Sequence, residues 1–199
     1  TLDSFFKVSP NQKALLKNFV LQIKKNQEKA NLIGKSTLNK IWVRHVLDSM
    51  QIIKYLPMEK RGKFMVDVGT GAGFPGVVLH IMGRKNVLLC DKSSKKTYIL
   101  KKILKECSLN IEVSNTRIEN YFKDNIEVIV SRAFASIKKL MISIYHLISR
   151  DTILIIHKGK KYRQEIQEAE RFFFFKFKEF QSITSKEGVI LKIVNIKKK

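Results

Sequence analysis

From Asn11 to about Lys29, apolar residues fall at Leu15, Leu16, Phe19, Val20 and Ile23, with lysines on the opposite side. That spacing is one face of a helix. A second helix is expected from Ser36 or Thr37, either of which can cap it, to about Tyr55, with Pro57 just past its end. Beyond Gly62 the rhythm changes. Short apolar runs at 64–68, 87–91, 111–115, 127–131 and 152–158 alternate with helical spacings. These helices are expected from Pro75 onward, from Ser93 or Ser94 to Cys107, over 137–148 and over 162–170. Strands separated by helices imply a parallel sheet with right-handed crossovers. The runs RFFFFKFKEF (171–180) and VILKIVNI (189–196) are joined by a loop holding Gly188, with no helix between them. They read as an antiparallel hairpin on the sheet edge. The expected fold is α/β: a Rossmann-like, mostly parallel seven-stranded sheet ending in that hairpin. A helical extension (1–61) precedes one compact unit (62–199).

The first strand runs into MVDVGTGAGFPG (65–76), a glycine-rich turn of the kind that holds a nucleotide. Gly71, Gly73 and Gly76 satisfy GxGxxG, while Gly69, Gly71 and Gly73 satisfy GxGxG directly after the strand, two residues beyond Asp67. A dinucleotide would set its pyrophosphate on the helix N-terminus, where a carboxylate repels it. S-adenosylmethionine carries a sulfonium and an ammonium and no phosphate, so a strand-end Asp67 suits it. No GxxxxGK[ST] sequence is present, which removes the ATP-type loop. Asp91 ends the second strand 22 positions after Gly69, where an acid for the adenosine ribose is expected. NAD would also use that acid, but a terminal hairpin belongs to the class I S-adenosylmethionine-dependent methyltransferases.

The charge sharpens the picture. Thirty-nine Lys+Arg against 17 Asp+Glu give +22, a field that draws polyanions, above all nucleic acid. Cys90 and Cys107 form no CxxC pair, which excludes a cysteine-based zinc site and leaves a reducing cytoplasm as the expected location. The four histidines (45, 80, 146 and 157) show no ligand spacing, so no metal is expected. The start lacks the basic-then-apolar pattern of a signal peptide. The most apolar stretch (140–157) is cut by Arg150 and Asp151, so no membrane span is expected either.

Three segments together, NLIGKSTLNKIWVRHVLDS (31–49), VDVGTGAGFPG (66–76) and VSRAFAS (130–136), resemble one family. It is the bacterial 16S ribosomal RNA guanine-N7 methyltransferases, also called glucose-inhibited division protein B. LLCDKSSKK (88–96), TRIEN (116–120) and HKGK (157–160) support the match. The resemblance implies methyl transfer from S-adenosylmethionine to N7 of one guanine in the 530 loop of 16S rRNA; the expected partner is 16S rRNA, naked or in the small ribosomal subunit, and a monomer is expected. Carried over by motif, Gly69, Phe74, Ile118, Glu119 and Arg132 bind the cofactor, beside Asp67, Gly71, Gly73 and Asp91. The chain departs from the family's pattern at Cys90 and at Lys92, where a serine is usual.

Guanine N7 is a lone-pair nucleophile, so alignment rather than a general base supplies the rate. The chain has no [DN]PP[YF] tetrapeptide for amine methylation and no Pro-Cys setting for attack on a pyrimidine. Arg132 is expected to orient cofactor or target. Phe134 either stacks on the flipped base or fills the core, and Lys158 either faces a phosphate or is one more surface charge. His45 and Asp48, three apart, are placed to pair, either shaping the pocket mouth or tying the N-terminal helices to the sheet. Two other readings stay open: a methyltransferase for another RNA or a protein, and a non-catalytic RNA-binding or ribosome-assembly protein.

Overall fold

The computed structural model describes residues 4–132 and 134–199, so Ala133 of the SRAFAS motif lies outside the described residues. Seven strands form one sheet in the order β3-β2-β1-β4-β5-β7-β6. They are β1 (Phe64–Val68), β2 (Val87–Cys90), β3 (Glu112–Ser114), β4 (Ile126–Arg132), β5 (Ile153–Lys158), β6 (Phe173–Gln181) and β7 (Val189–Lys198). β1 to β5 are parallel, and β7 inserts antiparallel between β5 and the edge strand β6. The expected topology is met, and the reversal of strand order between β2–β1 and β4 sets a crevice at the carboxyl ends, where α/β sheets bind ligands.

One face of the sheet carries α1 (Pro10–Ala30), α3 (Gly76–Ile81) and α4 (Ser94–Glu106), whose Leu16, Phe19, Val77 and Leu100 pack with Met65 and Leu89 of the strands. The other carries α5 (Ile137–Ile144) and α6 (Tyr162–Glu170) over Val66, Val68 and Ile129. α1 therefore shares its hydrophobic cluster with the sheet. Ser9 and Gln12 close a reciprocal capping box at its start. Ser93 caps α4, as read from the sequence.

The stretch expected as one helix over 36–55 is irregular. It passes from a 3₁₀ turn (Lys35–Lys40) through a π-helical turn (Trp42–Leu47) and α2 (Asp48–Met50) into a second 3₁₀ turn (Gln51–Tyr55). Neither Ser36 nor Thr37 caps it; Gly34 holds that position, and the Thr37 hydroxyl donates back to the Gly34 carbonyl. A π-turn is commonly found where a helix serves a site, and here it turns His45 and Asp48 together toward the end of β4. Pro75 sits at the N-cap of α3, one residue before its first turn.

Candidate active site

The glycine turn is built by its own acid. Asp67 is fully buried, and its Oδ2 accepts from the Thr70 hydroxyl at 2.7 Å and the Gly76 amide at 2.8 Å. Asp67 thus sits beneath the turn and not on a cavity wall, tying β1 to the start of α3. Gly76 is required there because a methyl group would stand 2.3 Å from Leu89 Cδ2 and 2.8 Å from Asp67 Oδ2. Gly73 and Phe74 also turn inward: Phe74 is 3% exposed, between the rings of Phe19 and His45.

Above the turn lies a cavity of about 410 Å³. Gly69 and Gly71 form its floor, Asp91 one wall, and Ile118 and Glu119 another; Phe134 stands at its rim. Asp91 Oδ2 accepts from the Gly71 amide at 2.8 Å and Oδ1 from the Ser93 amide at 2.9 Å, which locks the carboxylate toward the cavity. Gly71 has φ +56 and no atom nearer than 3.9 Å to where a Cβ would be, so a ligand can lie on bare backbone. The Phe134 ring closes over Gly69, within 2.9 Å of the position a side chain there would take.

A second cavity of about 350 Å³ opens beside it, lined by His45, Asp48, Arg132, His157 and Lys158. Its hub is Arg132, at the end of β4. NH1 donates to the Arg44 carbonyl at 2.9 Å and to Asp48 Oδ2 at 3.3 Å, and NH2 meets His45 Nδ1 at 2.5 Å. The expected direct pairing of His45 with Asp48 is replaced by this joint grip on one guanidinium. Because Arg132 offers only donors, His45 Nδ1 accepts, and its Nε2 then donates to Thr37 Oγ1 at 2.8 Å. Burial, reinforced by Arg132, pushes the His45 pKa down to about 4, so the imidazole is neutral. Asp48 also receives Gln51 Nε2 at 2.7 Å and the Thr184 hydroxyl, and its carbonyl accepts from His157 Nε2 at 2.7 Å. Lys158 is not turned out to a phosphate: its Nζ lies 2.7 Å from Glu165 Oε2 and donates to the Ala135 carbonyl.

A family model described as GidB, rRNA small subunit methyltransferase G, matches residues 12–194. The chain belongs to that family. It is 36% identical over 183 residues to the ribosomal RNA small subunit methyltransferase G of Rickettsia felis, covering 92% of this chain and 93% of that one. The same enzyme of Rickettsia akari is 35% identical over the same length, with 92% and 94% covered. In fold, the chain is similar to a ribosomal protein L11 methylase from Lactobacillus delbrueckii (TM-score 0.61, 19% identity, 74% of this chain and 76% of that one). It is also similar to an MtNAS mutant in complex with S-adenosylmethionine (TM-score 0.60, 15% identity, 93% and 76% covered). The protein is an S-adenosylmethionine-dependent methyltransferase.

The first cavity fits the methyltransferase G cofactor. Asp91 retains lone pairs able to accept from hydroxyl donors, Ile118 adds an apolar wall, and Asp91 and Glu119 set negative charge that suits a cationic ligand. Glu119 is kept ionised by the Ser143 hydroxyl, which donates to it at 2.7 Å and draws its pKa down. Cys90 lines the same cavity, but burial pushes its thiol up to about 12 and leaves it no nucleophile. Among the described residues no group of three or more His, Cys, Asp or Glu is placed to hold a metal, and no helix is long and apolar enough to cross a membrane.

The sequence had brought forward Gly69, Gly71, Asp91, Ile118, Glu119 and Phe134, which the structure gathers on the first cavity, and Arg132, His45 and Lys158, which it gathers on the second. His157 and Thr184 were missed. A polar residue ending an otherwise apolar strand was the available signal for His157, which lies in register with Arg132.

Burial pushes the Asp67 pKa up to about 6, with the Thr70 and Gly76 bonds opposing. A carboxyl whose folded pKa is raised holds its proton longer in the native state. It therefore favours folding at low pH, and that stability is lost as pH rises through the window from about 4 to about 6. Asp67→Asn is expected to abolish this fall, so that the wild type loses about 3 kcal/mol relative to the variant between pH 4 and 7. Urea unfolding of both proteins across that range checks it; parallel curves would contradict it.

Proposed function

We propose that the protein methylates N7 of a single guanine in the 530 loop of 16S rRNA. The observation that supports this best is that, among the described residues, no unpartnered base is exposed at the two cavities; His157 Nδ1 has no partner but is buried from solvent. Asp91 is bonded to two backbone amides, Glu119 to Ser143, Lys158 to Glu165, and neutral His45 to Arg132 and Thr37. Such a site suits an acceptor that needs no proton removed, and N7 of guanine is one. S-adenosylmethionine supplies the electrophilic methyl group when bound. The chain holds it by Asp91 and the glycine turn and presents the acceptor from the second cavity.

In this reading Arg132 positions the 35–55 segment, so that the second cavity stays open beside the first. It also lies over the buried Phe74 ring, 5.4 Å from its centroid, which links it to the cofactor turn. Phe134, 39% exposed at the rim, stacks on the unstacked guanine, a contact worth about 1–3 kcal/mol. Single-turnover methyl transfer is expected to be flat between pH 6.5 and 8.5; a rate rising about tenfold per pH unit would show that a base takes part.

The site of methylation is tested by incubating the protein and S-adenosylmethionine with unmethylated small subunits, then treating the rRNA with borohydride and aniline, which cut the chain at 7-methylguanosine. One new cut in the 530 loop is expected. Methyl incorporation without a cut would mean another atom is modified.

A further inference from the structure

The C-terminal hairpin carries charge that the two cavities do not use. In β6, Phe173 and Phe175 point to the α5–α6 face of the sheet, whereas Phe174, Lys176, Lys178 and Phe180 alternate onto the α1 face. β7 supplies the same face with Lys192, opposite Lys178, and Lys197, opposite Phe174. Asn195, at φ +56, bulges β7 and restores this alignment toward the chain end.

The helical cover on that face ends where Tyr55 stacks on Phe180, centroids 4.0 Å apart, and where Lys192 Nζ reaches the Tyr55 carbonyl at 2.9 Å. Past that line the sheet surface is open among the described residues. Phe174 is 61% exposed, with the Lys199 ammonium 4.7 Å from its ring centroid. Lys176, Lys178 and Lys197 are exposed around it. The hairpin's Glu179 belongs to the opposite face, where it pairs with Arg163 of α6.

Lysines on an edge strand commonly serve to prevent pairing with another sheet. Here Lys192 and Lys197 of the inner strand β7 share the face of Lys176 and Lys178, while Lys198, opposite Phe173, turns to the other, and the shared face holds an exposed aromatic ring. That combination serves a flexible polyanion with flat bases: ammonium groups meet phosphates and the ring meets a base.

We infer that this open face of the β6–β7 hairpin is an auxiliary docking surface for single-stranded or looped rRNA, remote from the reacting base. The inference rests on the rRNA-methyltransferase reading. Lys176, Lys178 and Lys197 hold backbone phosphates, and Phe174 stacks on a base.

The test measures equilibrium binding of a naked 16S rRNA transcript over a salt series, with three variants. In the first, Lys176, Lys178 and Lys197 are all changed to Gln. In the second, Lys17, Lys24 and Lys25 of α1 are changed to Gln, for the same loss of charge elsewhere. The third is Phe174→Ala. Calorimetric S-adenosylmethionine binding, expected to be unchanged in all three, shows that each is folded. The hairpin triple variant is expected to lower the salt slope by about 2 and the affinity at 0.1 M salt on the order of 100-fold. The α1 variant is expected to lose less than a third of that slope change. Phe174→Ala should weaken binding about tenfold or more without changing the slope.

Equal losses in the two triple variants, or no loss in the hairpin variant, would overturn the inference while leaving the methyltransferase reading intact. So would loss of binding to phosphatidylglycerol vesicles with RNA affinity retained, since the face would then be a membrane-docking surface. A wild-type protein that neither binds nor methylates rRNA would overturn both.

Discussion

Gly73→Ala is expected to lower the melting temperature by about 10 °C. Gly73 lies at φ +94, a conformation that L side chains rarely adopt, and a Cβ there would stand 2.6 Å from Val77 Cγ2 and 3.1 Å from Leu100 Cδ1. The backbone cost is about 1–2 kcal/mol and overpacking adds about 1–3 kcal/mol. A loss of about 3 kcal/mol corresponds to about 10 °C for a chain of this length. Gly159→Ala is the control, because nothing lies within 4 Å of its Cβ position and its φ is ordinary; it should leave the melting temperature within about 1 °C. Thermal unfolding of both variants decides the matter, and equal behaviour would mean that Gly73 answers to neither strain nor packing.

Asp91→Ala is expected to raise the dissociation constant for S-adenosylmethionine on the order of 100-fold. Two charge-assisted bonds to ribose are lost, each worth about 1.5–3 kcal/mol, and the Gly71 and Ser93 amides lose their acceptor. Isothermal calorimetry checks the affinity. The helix that Ser93 caps begins just beyond, so the variant should also melt slightly lower, by about 1 kcal/mol of stability. A dissociation constant within threefold of the wild type would mean that the ribose does not rest on Asp91.

Most of this architecture was legible because local rules agreed with one another. Alternating apolar runs and helical spacings placed all seven strands, and the absence of a helix between Phe173–Gln181 and Val189–Lys198 revealed the hairpin. Side-chain periodicity predicts a regular helix from Ser36 or Thr37 to about Tyr55 because it cannot show a π-turn. That turn is stabilised from outside, by Arg132 reaching Arg44, His45 and Asp48 across more than 80 residues. The same limit hid the pairing of Lys158 with Glu165, a contact made only when β5 and α6 fold together.

The two acids beside the glycine turn differ in where their side chains point. Position and charge marked both Asp67 and Asp91 as cofactor residues. Strand direction separates them: Asp67, inside β1, shares a face with Met65 and points under α3, whereas Asp91 lies one residue past β2 and is held toward the cavity by the Gly71 and Ser93 amides. The two carboxylates thus divide into Asp67, which shapes the turn, and Asp91, which lines the cavity. Only the three-dimensional placement tells which is which.

The central claim is methyl transfer to one guanine N7. Its most direct test uses S-adenosylmethionine labelled in the methyl group, incubated with unmethylated small subunits and with their extracted rRNA, followed by digestion to nucleosides. Label is expected in 7-methylguanosine alone, approaching one methyl per 16S rRNA in the better acceptor. Label in any other nucleoside, or none in either RNA from a protein that binds the cofactor, would contradict it.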